Sequence, residues 1–228
     1  MRVFLGRTGI SIFILLLLAS VAQAGCKSAA EPTVDWSGCN KQLLQLDGTD
    51  LTSANLEGAF LSGTIFSSAK LAKANLQLSE LVRTSFKQAD LSGANLEKSL
   101  SSRADFEMAL LKGARLVKAE FLRVSFEGAD LSGADLSEGE FSRNSFNKAN
   151  LSGATLSRAM LQRASFLQAN LAGASFEKAY IYWARFEGVD LSKAIDLTQT
   201  QIDMACGDAQ TQLPSGLTMP SHWPCAAD

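Results

Sequence analysis

Ala89-Asp90-Leu91-Ser92-Gly93 runs directly into Ala94-Asn95-Leu96-Glu97-Lys98. The two quintets place a small residue, an Asp or Asn and a Leu in the same order, and the pattern continues in both directions. From Leu46 to Leu191 every fifth residue is Leu, Phe or Ile except Ser101, giving 18 Leu, 10 Phe, one Ile and one Ser over 30 positions. Two places before each of these stands Ala in 20 of 30 cases, so each unit carries one large and one small inward candidate. An internal period of this kind takes precedence over any local secondary-structure reading.

A period of five suits neither regular element. On an α-helix five residues turn the chain by about 500°, so successive Leu residues would step about 140° and spiral round the surface. On a straight strand five is odd, and successive Leu residues would face opposite ways. A chain that turns a corner every five residues aims each of them at one axis, and four corners close a square coil of 20. Residues 20 apart then stack. One column reads Phe66, Phe86, Phe106, Phe126, Phe146, Phe166 and Phe186, headed by Leu46. A second reads Leu51, Leu71, Leu91, Leu111, Leu131, Leu151, Leu171 and Leu191; a third runs from Leu56 to Leu156 and ends in Phe176. The fourth is mixed: Leu61, Leu81, Ser101, Phe121, Phe141, Leu161 and Ile181. The five-residue rule alone gives no reason for Phe to gather in one column.

On these quintets the chain resembles the pentapeptide-repeat family. The resemblance implies an all-β solenoid, a right-handed quadrilateral β-helix, with the central residue and the small residue two before it pointing inward. At about 4.8 Å per rung, about 7.5 coils make a rod about 36 Å long. Gly93, Gly113, Gly133, Gly153 and Gly173 suit its turns, and no proline lies between Pro32 and Pro214, where it would delete a ladder donor. Ser101 breaks the rule. It marks a binding notch, a local bulge in which Leu100 swings inward, or a tolerated defect partly filled by Phe121 from the next coil.

Outside residues 46–193 the chain divides into a leader at 1–24, a near-end cap at 25–45 and a far-end cap and tail at 194–228. Arg2 and Arg7, an apolar run from Ile10 to Ala19 and Ala22-Gln23-Ala24 form a secretory signal peptide, which places the protein in a bacterial periplasm or outside the cell. The run is too short for a membrane span, which takes about 20 residues, so none is expected after cleavage. Gln23-Ala24-Gly25-Cys26 also resembles a bacterial lipoprotein processing box, with Gln23 where an apolar residue is usual; Cys26 would then carry a lipid anchor. Left unmodified, Cys26, Cys39, Cys206 and Cys225 form one pair at each end of the rod. Local pairing, Cys26 with Cys39 and Cys206 with Cys225, is preferred because the two ends stand several coils apart. At the near end, Val34 to Cys39 leads into the first coil with Trp36 as a lid. At the far end Thr198 and Gln201 form a capping box for a short helix. The following Cys206-Gly207-Asp208 and Leu213-Pro214-Ser215-Gly216-Leu217 resemble tails of many bacterial members of the family.

Charge narrows the function. Lys plus Arg total 21 against 23 Asp plus Glu, a net of −2, which gives no basic footprint for nucleic acid. Some cytoplasmic family members mimic duplex DNA and bind DNA gyrase, but residues 46–193 hold 17 acidic and 17 basic residues, and the leader removes the chain from that compartment. Four cysteines and His222, which sits in the tail away from any nucleophile or ligand spacing, suggest no metal, cofactor or catalytic cluster. Asp50, Asp90, Asp130 and Asp190 share an outer column, where paired carboxylates would serve a polysaccharide hydrolase. Asp before the central residue also belongs to the repeat and caps turns. The most orderly outer feature is Arg83, Arg103, Arg123, Arg143 and Arg163, each 20 from the next, with Trp183 completing the line. This is a candidate binding face for an acidic protein or another polyanionic macromolecule, unless Glu80, Glu120 and Glu140 neutralise it in an ion ladder. The expectation is an exported, non-catalytic scaffold.

Overall fold

Each quintet makes one side and one corner of a square coil. The computed structural model describes residues 25–225, so the leader reading of 1–24 lies outside the described residues. In Ala94 to Lys98, Ala94 and Leu96 point inward and are fully buried while Asn95 faces out. Leu96 N–H donates to the Arg115 carbonyl at 2.7 Å, and Arg115 N–H returns to the Ala94 carbonyl at 2.9 Å, a parallel rung to the next coil. Such bridges join residues 20 apart from Asp35–Asn55 to Ser175–Ile195, giving a right-handed four-sided β-helix. A regular corner closes on a short bond, as from Ser99 N–H to the Leu96 carbonyl at 3.1 Å. Its last residue takes a left-handed conformation: φ is 65° at Gly93 and 56° at Lys98. Glycine adopts this freely; another residue gives up about 1 kcal/mol or more.

The interior is a set of vertical stacks. From Phe66 to Phe186 neighbouring ring centroids lie 4.7 to 5.2 Å apart with nearly parallel planes. The Leu column from Leu51 to Leu191 is fully buried. Burying each such side chain contributes about 1.5 to 3 kcal/mol, and the burial depends on the coils above and below.

The coil starts ahead of residue 46. Trp36 is the central residue of Val34 to Gly38, its N–H donating to the Asn55 carbonyl at 2.8 Å, so it is part of the first coil's core rather than a lid over it. Lys41 follows at the next central position, with its ammonium 3.7 Å from the Trp36 ring centroid and its pKa lowered by burial. The disulfide Cys26–Cys39 ties the entering chain to this coil.

At the far end a one-turn helix, α1 (Gln199–Ile202), starts on the expected capping box: the Thr198 hydroxyl accepts from Gln201 N–H and the Gln201 side chain accepts from Thr198 N–H. Buried Gln201 also donates from Nε2 to the Phe176 and Ala179 carbonyls, both at 2.9 Å, covering the open coil. The tail then rejoins the ladder, with Cys206 bridging Arg185 and Gln212 bridging Asp190. Cys206–Cys225 and the Trp223 indole N–H, 2.7 Å from the Ala205 carbonyl, fasten it. Both disulfides are the local pairs.

Candidate interaction edge

Where the backbone departs from the repeat, it does so on one side. Two corners open into short strands, β1 (Leu100–Ser102) and β2 (Glu120–Leu122), paired in parallel with Ser101 opposite Phe121. Ser101 keeps the inward position, and its hydroxyl donates to the Leu81 carbonyl at 3.1 Å. Leu100 stays outside and exposed, so the inward bulge does not form. A side chain shorter than Leu leaves space above it, and a cleft of about 380 Å³ opens there, walled by Val82, Leu100, Leu122, Glu120 and Glu140 over Phe121. A second hollow shares Val82 and Ser102 and continues past Arg83 and Arg103 to Leu43. Together they form a shallow groove along the rod.

Two departures that repeat counting missed shape this groove. Asn144 stands at a small inward position that is Ala in most units, and its Oδ1 accepts from Val124 N–H at 2.8 Å. The equivalent N–H at a regular corner closes on the carbonyl three residues back, as Ala134 does on Leu131 at 3.0 Å. Gly139 gives the Phe141 ring room: a Cβ there would collide with it, and the ring stands edge-on to Phe121 and Phe146. The signal for both was the replacement of Ala at an inward position.

Along the outer side of the groove runs the arginine column, of which Arg83 and Arg103 line it. Arg83, Arg103, Arg123, Arg143 and Arg163 occupy successive corners with φ between 55° and 58°, all exposed, and Trp183 continues the line at φ 57°. The Arg163 guanidinium lies 5.9 Å from the Trp183 ring centroid, and Tyr180 and Tyr182 stack beside it with centroids 6.2 Å apart. The expected ion ladder is absent. Among the described residues, no carboxylate oxygen comes within 4.0 Å of these five guanidinium groups. The reason is vertical order. Lys87 has Glu107 one rung above it, at 2.7 Å, whereas Arg103, Arg123 and Arg143 have an arginine above and below, and Arg83 and Arg163 have Gly63 and Trp183 at the open ends of the column. Across the corner, Glu80 accepts instead from the Ser62 hydroxyl at 2.8 Å.

The aspartate column does different work. Oδ1 of Asp50, Asp90, Asp130 and Asp190 accepts the backbone N–H two residues on, at 2.8 to 3.0 Å. Hydrogen bonds from Thr52 hold Asp50 below the usual carboxylate range, and those from Ser192 do the same for Asp190. Burial pushes Asp130 the other way, but Ser132 and Asn150 outweigh it and the pKa is lowered. Asp50, Asp130 and Asp190 are thus held ionised by the hydrogen bonds they accept, the opposite of what a general acid needs. His222 lies beside the tail with Nε2 3.4 Å from the Ala205 carbonyl. It lines a hollow of about 290 Å³ with Tyr182, Trp183 and Asp203. Among the described residues no group of three or more His, Cys, Asp or Glu side chains is placed to hold a metal ion, and no helix is long and apolar enough to cross a membrane.

Two family models match the sequence: a pentapeptide repeat region over residues 119–197, and pentapeptide repeats (8 copies) over 45–81, 69–99 and 79–116. Among solved structures the chain is similar to full-length QnrB1, a plasmid-mediated fluoroquinolone resistance protein. The identity is 18% and the TM-score 0.66, over 79% of this chain and 91% of that one. It is also similar to HetL from the cyanobacterium Nostoc, a protein involved in heterocyst differentiation regulation. There the identity is 23% and the TM-score 0.46, over 90% of this chain and 91% of that one. No curated protein matches the sequence.

Proposed function

Because the chain belongs to the pentapeptide-repeat family, we propose that it is an exported, rigid, non-catalytic scaffold that docks another macromolecule along the edge from Arg83 to Trp183. The observation that carries this reading is the unpaired state of five aligned guanidinium groups on a rod where most of the other basic side chains have a carboxylate partner, as Arg115 has Glu97 at 2.9 Å and Lys148 has Glu127 at 2.8 Å. Stability gives no reason for the column. Each arginine holds a left-handed corner at a cost of about 1 kcal/mol or more that glycine would avoid. Like charges at rung spacing repel by up to about 1 kcal/mol per adjacent pair in water. A partner that meets the column offsets both.

Export is supported by the leader pattern in residues 1–24 and by two disulfides, which persist in oxidising compartments. The task of the fluoroquinolone resistance protein does not transfer, since a likeness at 18% identity speaks for the fold, and the repeat region here is charge-balanced. The test is cross-linking in cells expressing the protein or its Arg103→Ala, Arg123→Ala, Arg143→Ala variant, after fractionation. The wild type is expected in the envelope or medium with a cross-linked partner that the variant loses. Unchanged recovery of that partner rejects the edge, and a cytoplasmic, fully reduced protein rejects export.

A further inference from the structure

The arginine column and the Glu80, Glu120, Glu140 column border the same groove, at its two sides, and neither neutralises the other within one chain. We propose that the edge docks a second copy of this chain, face to face and with the rods parallel, an inference that rests on the arginine edge being the docking surface.

Symmetry selects the arrangement. A two-fold axis parallel to the rod and lying over the strip Ser62, Val82, Ser102, Leu122, Ser142 turns the second copy to face the first. It keeps every rung level and exchanges left for right. Glu80, Glu120 and Glu140 of each copy then oppose Arg83, Arg123 and Arg143 of the other. A two-fold axis across the rod instead sets glutamate against glutamate and arginine against arginine. At the remaining level of the cleft Leu100 replaces a glutamate, so Arg103 of the other copy meets Leu100 instead of a carboxylate; Leu100 and Leu122 are each about half exposed and, with Val82, form the apolar part of the patch. The result is the ordinary anatomy of a two-fold interface, with the same patch used twice, apolar at its middle and charged at its rim.

Pitch distinguishes this occupant from other acidic partners. Five arginines span four rungs, about 19 Å at strand spacing. An extended peptide presents same-side carboxylates about every 6.7 Å, so it would need about 27 Å for five. Phosphates along one strand of a DNA duplex recur every 3.4 Å, about 14 Å for the same count. An acidic helix with one carboxylate per turn needs about 22 Å. The glutamate column of a second rod has the same step as the arginine column, and its three carboxylates, Glu80, Glu120 and Glu140, stand level with Arg83, Arg123 and Arg143. From Arg83 to Trp183 the strip is about 24 Å long and, at three residue steps across, about 10 Å wide. A footprint of that size belongs to weak, transient association.

Sedimentation velocity of the mature, disulfide-intact chain over a concentration series tests the proposal. The wild type is expected to dimerise reversibly, with association weakened by added salt. Two variants are decisive: Arg83→Glu, Arg123→Glu, Arg143→Glu, whose edge is acidic, and Glu80→Arg, Glu120→Arg, Glu140→Arg, whose edge is basic. Each alone is expected to associate at least about tenfold more weakly than the wild type, and an equal mixture is expected to recover dimers. Leu122→Lys, an exposed change on the proposed axis, is expected to break the pair without touching either column. Circular dichroism melts confirm that each variant is folded. A wild type that stays monomeric at low salt, or a folded mixture that does not associate, overturns self-association. If the monomer is nonetheless cross-linked to an acidic glycan or an acidic protein through Arg103, Arg123 and Arg143, the docking edge stands and only its occupant is wrong.

Discussion

The side of the rod built on the Leu column and the side built on Ser101 and Phe121 use the same quintet to different ends. On the first, Leu51 to Leu191 are uninterrupted, Ala lines both flanks from Ala69 to Ala169 and from Ala54 to Ala194, and Gly holds five corners. Outward Asp and Asn side chains cap their own turns and bond along the column, as Asn150 Nδ2 does to Asp130 Oδ1 and Asn170 Nδ2 to Asn150 Oδ1, both at 3.0 Å. On the second, Thr64, Ser79, Thr84, Ser99, Ser101 and Asn144 are buried in place of Ala or Leu, and arginine takes the corners that glycine takes opposite. Most of those hydroxyls find a carbonyl: Ser79 bonds Leu76 at 2.7 Å and Thr84 bonds Leu61 at 3.0 Å. Asn144 Nδ2 finds none, a desolvated donor of the kind that costs about 1 to 3 kcal/mol. One side stabilises the coil; the other gives up stability and gains an edge that can be recognised.

The contrast can be broken most directly by exchanging the two sides' core residues. Leu111→Ala on the regular side removes a fully buried side chain between two others and is expected to cost about 2 to 5 kcal/mol in equilibrium urea unfolding. A cost below about 1 kcal/mol would mean that the stack closes over the gap and that the regular column is not the source of stability.

Ser101→Leu restores the repeat where the chain departs from it. The gain is about 1.5 to 3 kcal/mol of apolar burial, less about 1 kcal/mol for the lost bond to the Leu81 carbonyl. The melting temperature is therefore expected to rise modestly as the cleft fills. Destabilisation would show that the short strands β1 and β2 hold a shape that Leu cannot enter, and that the cleft is built rather than left over.

How much of this was legible follows from the same two sides. The period that stacks Phe106 on Phe126 could be read because every rung repeats one environment, and the local disulfide pairs followed from the ends being far apart. The start of the coil could not, because Trp36 and Lys41 fill the first central positions and neither is Leu or Phe. The arginine column was visible as a row of letters, but its lack of partners was not. Pairing depends on what stands one rung above: Glu107 over Lys87, but Arg103 over Arg83. The cleft was signalled by Ser101, whereas Asn144 and Gly139 were hidden among small residues that count alike in a repeat tally.

The smallest effect sharpens the comparison from outside. Hydrogen bonds within their own turns lower the carboxyl pKa of Asp50 and Asp190 from 3.8, and Asp130 is also lowered despite its burial. A carboxylate whose folded pKa lies below its unfolded value adds stability that is fully present above the unfolded value and fades as pH falls through the folded one. Melting temperature is therefore expected to be level above about pH 5 and to decline below about pH 4. Replacing Asp50, Asp130 and Asp190 together with Asn, which keeps the turn-capping oxygen but does not titrate, should flatten that decline. Lys87 and Lys148 pair with Asp105, Glu107 and Glu127 at other columns, so a residual slope remains. A triple variant that melts with the wild-type pH dependence would place acid sensitivity in those pairs rather than in the turn caps. The regular side would then owe its stability to its apolar stack alone.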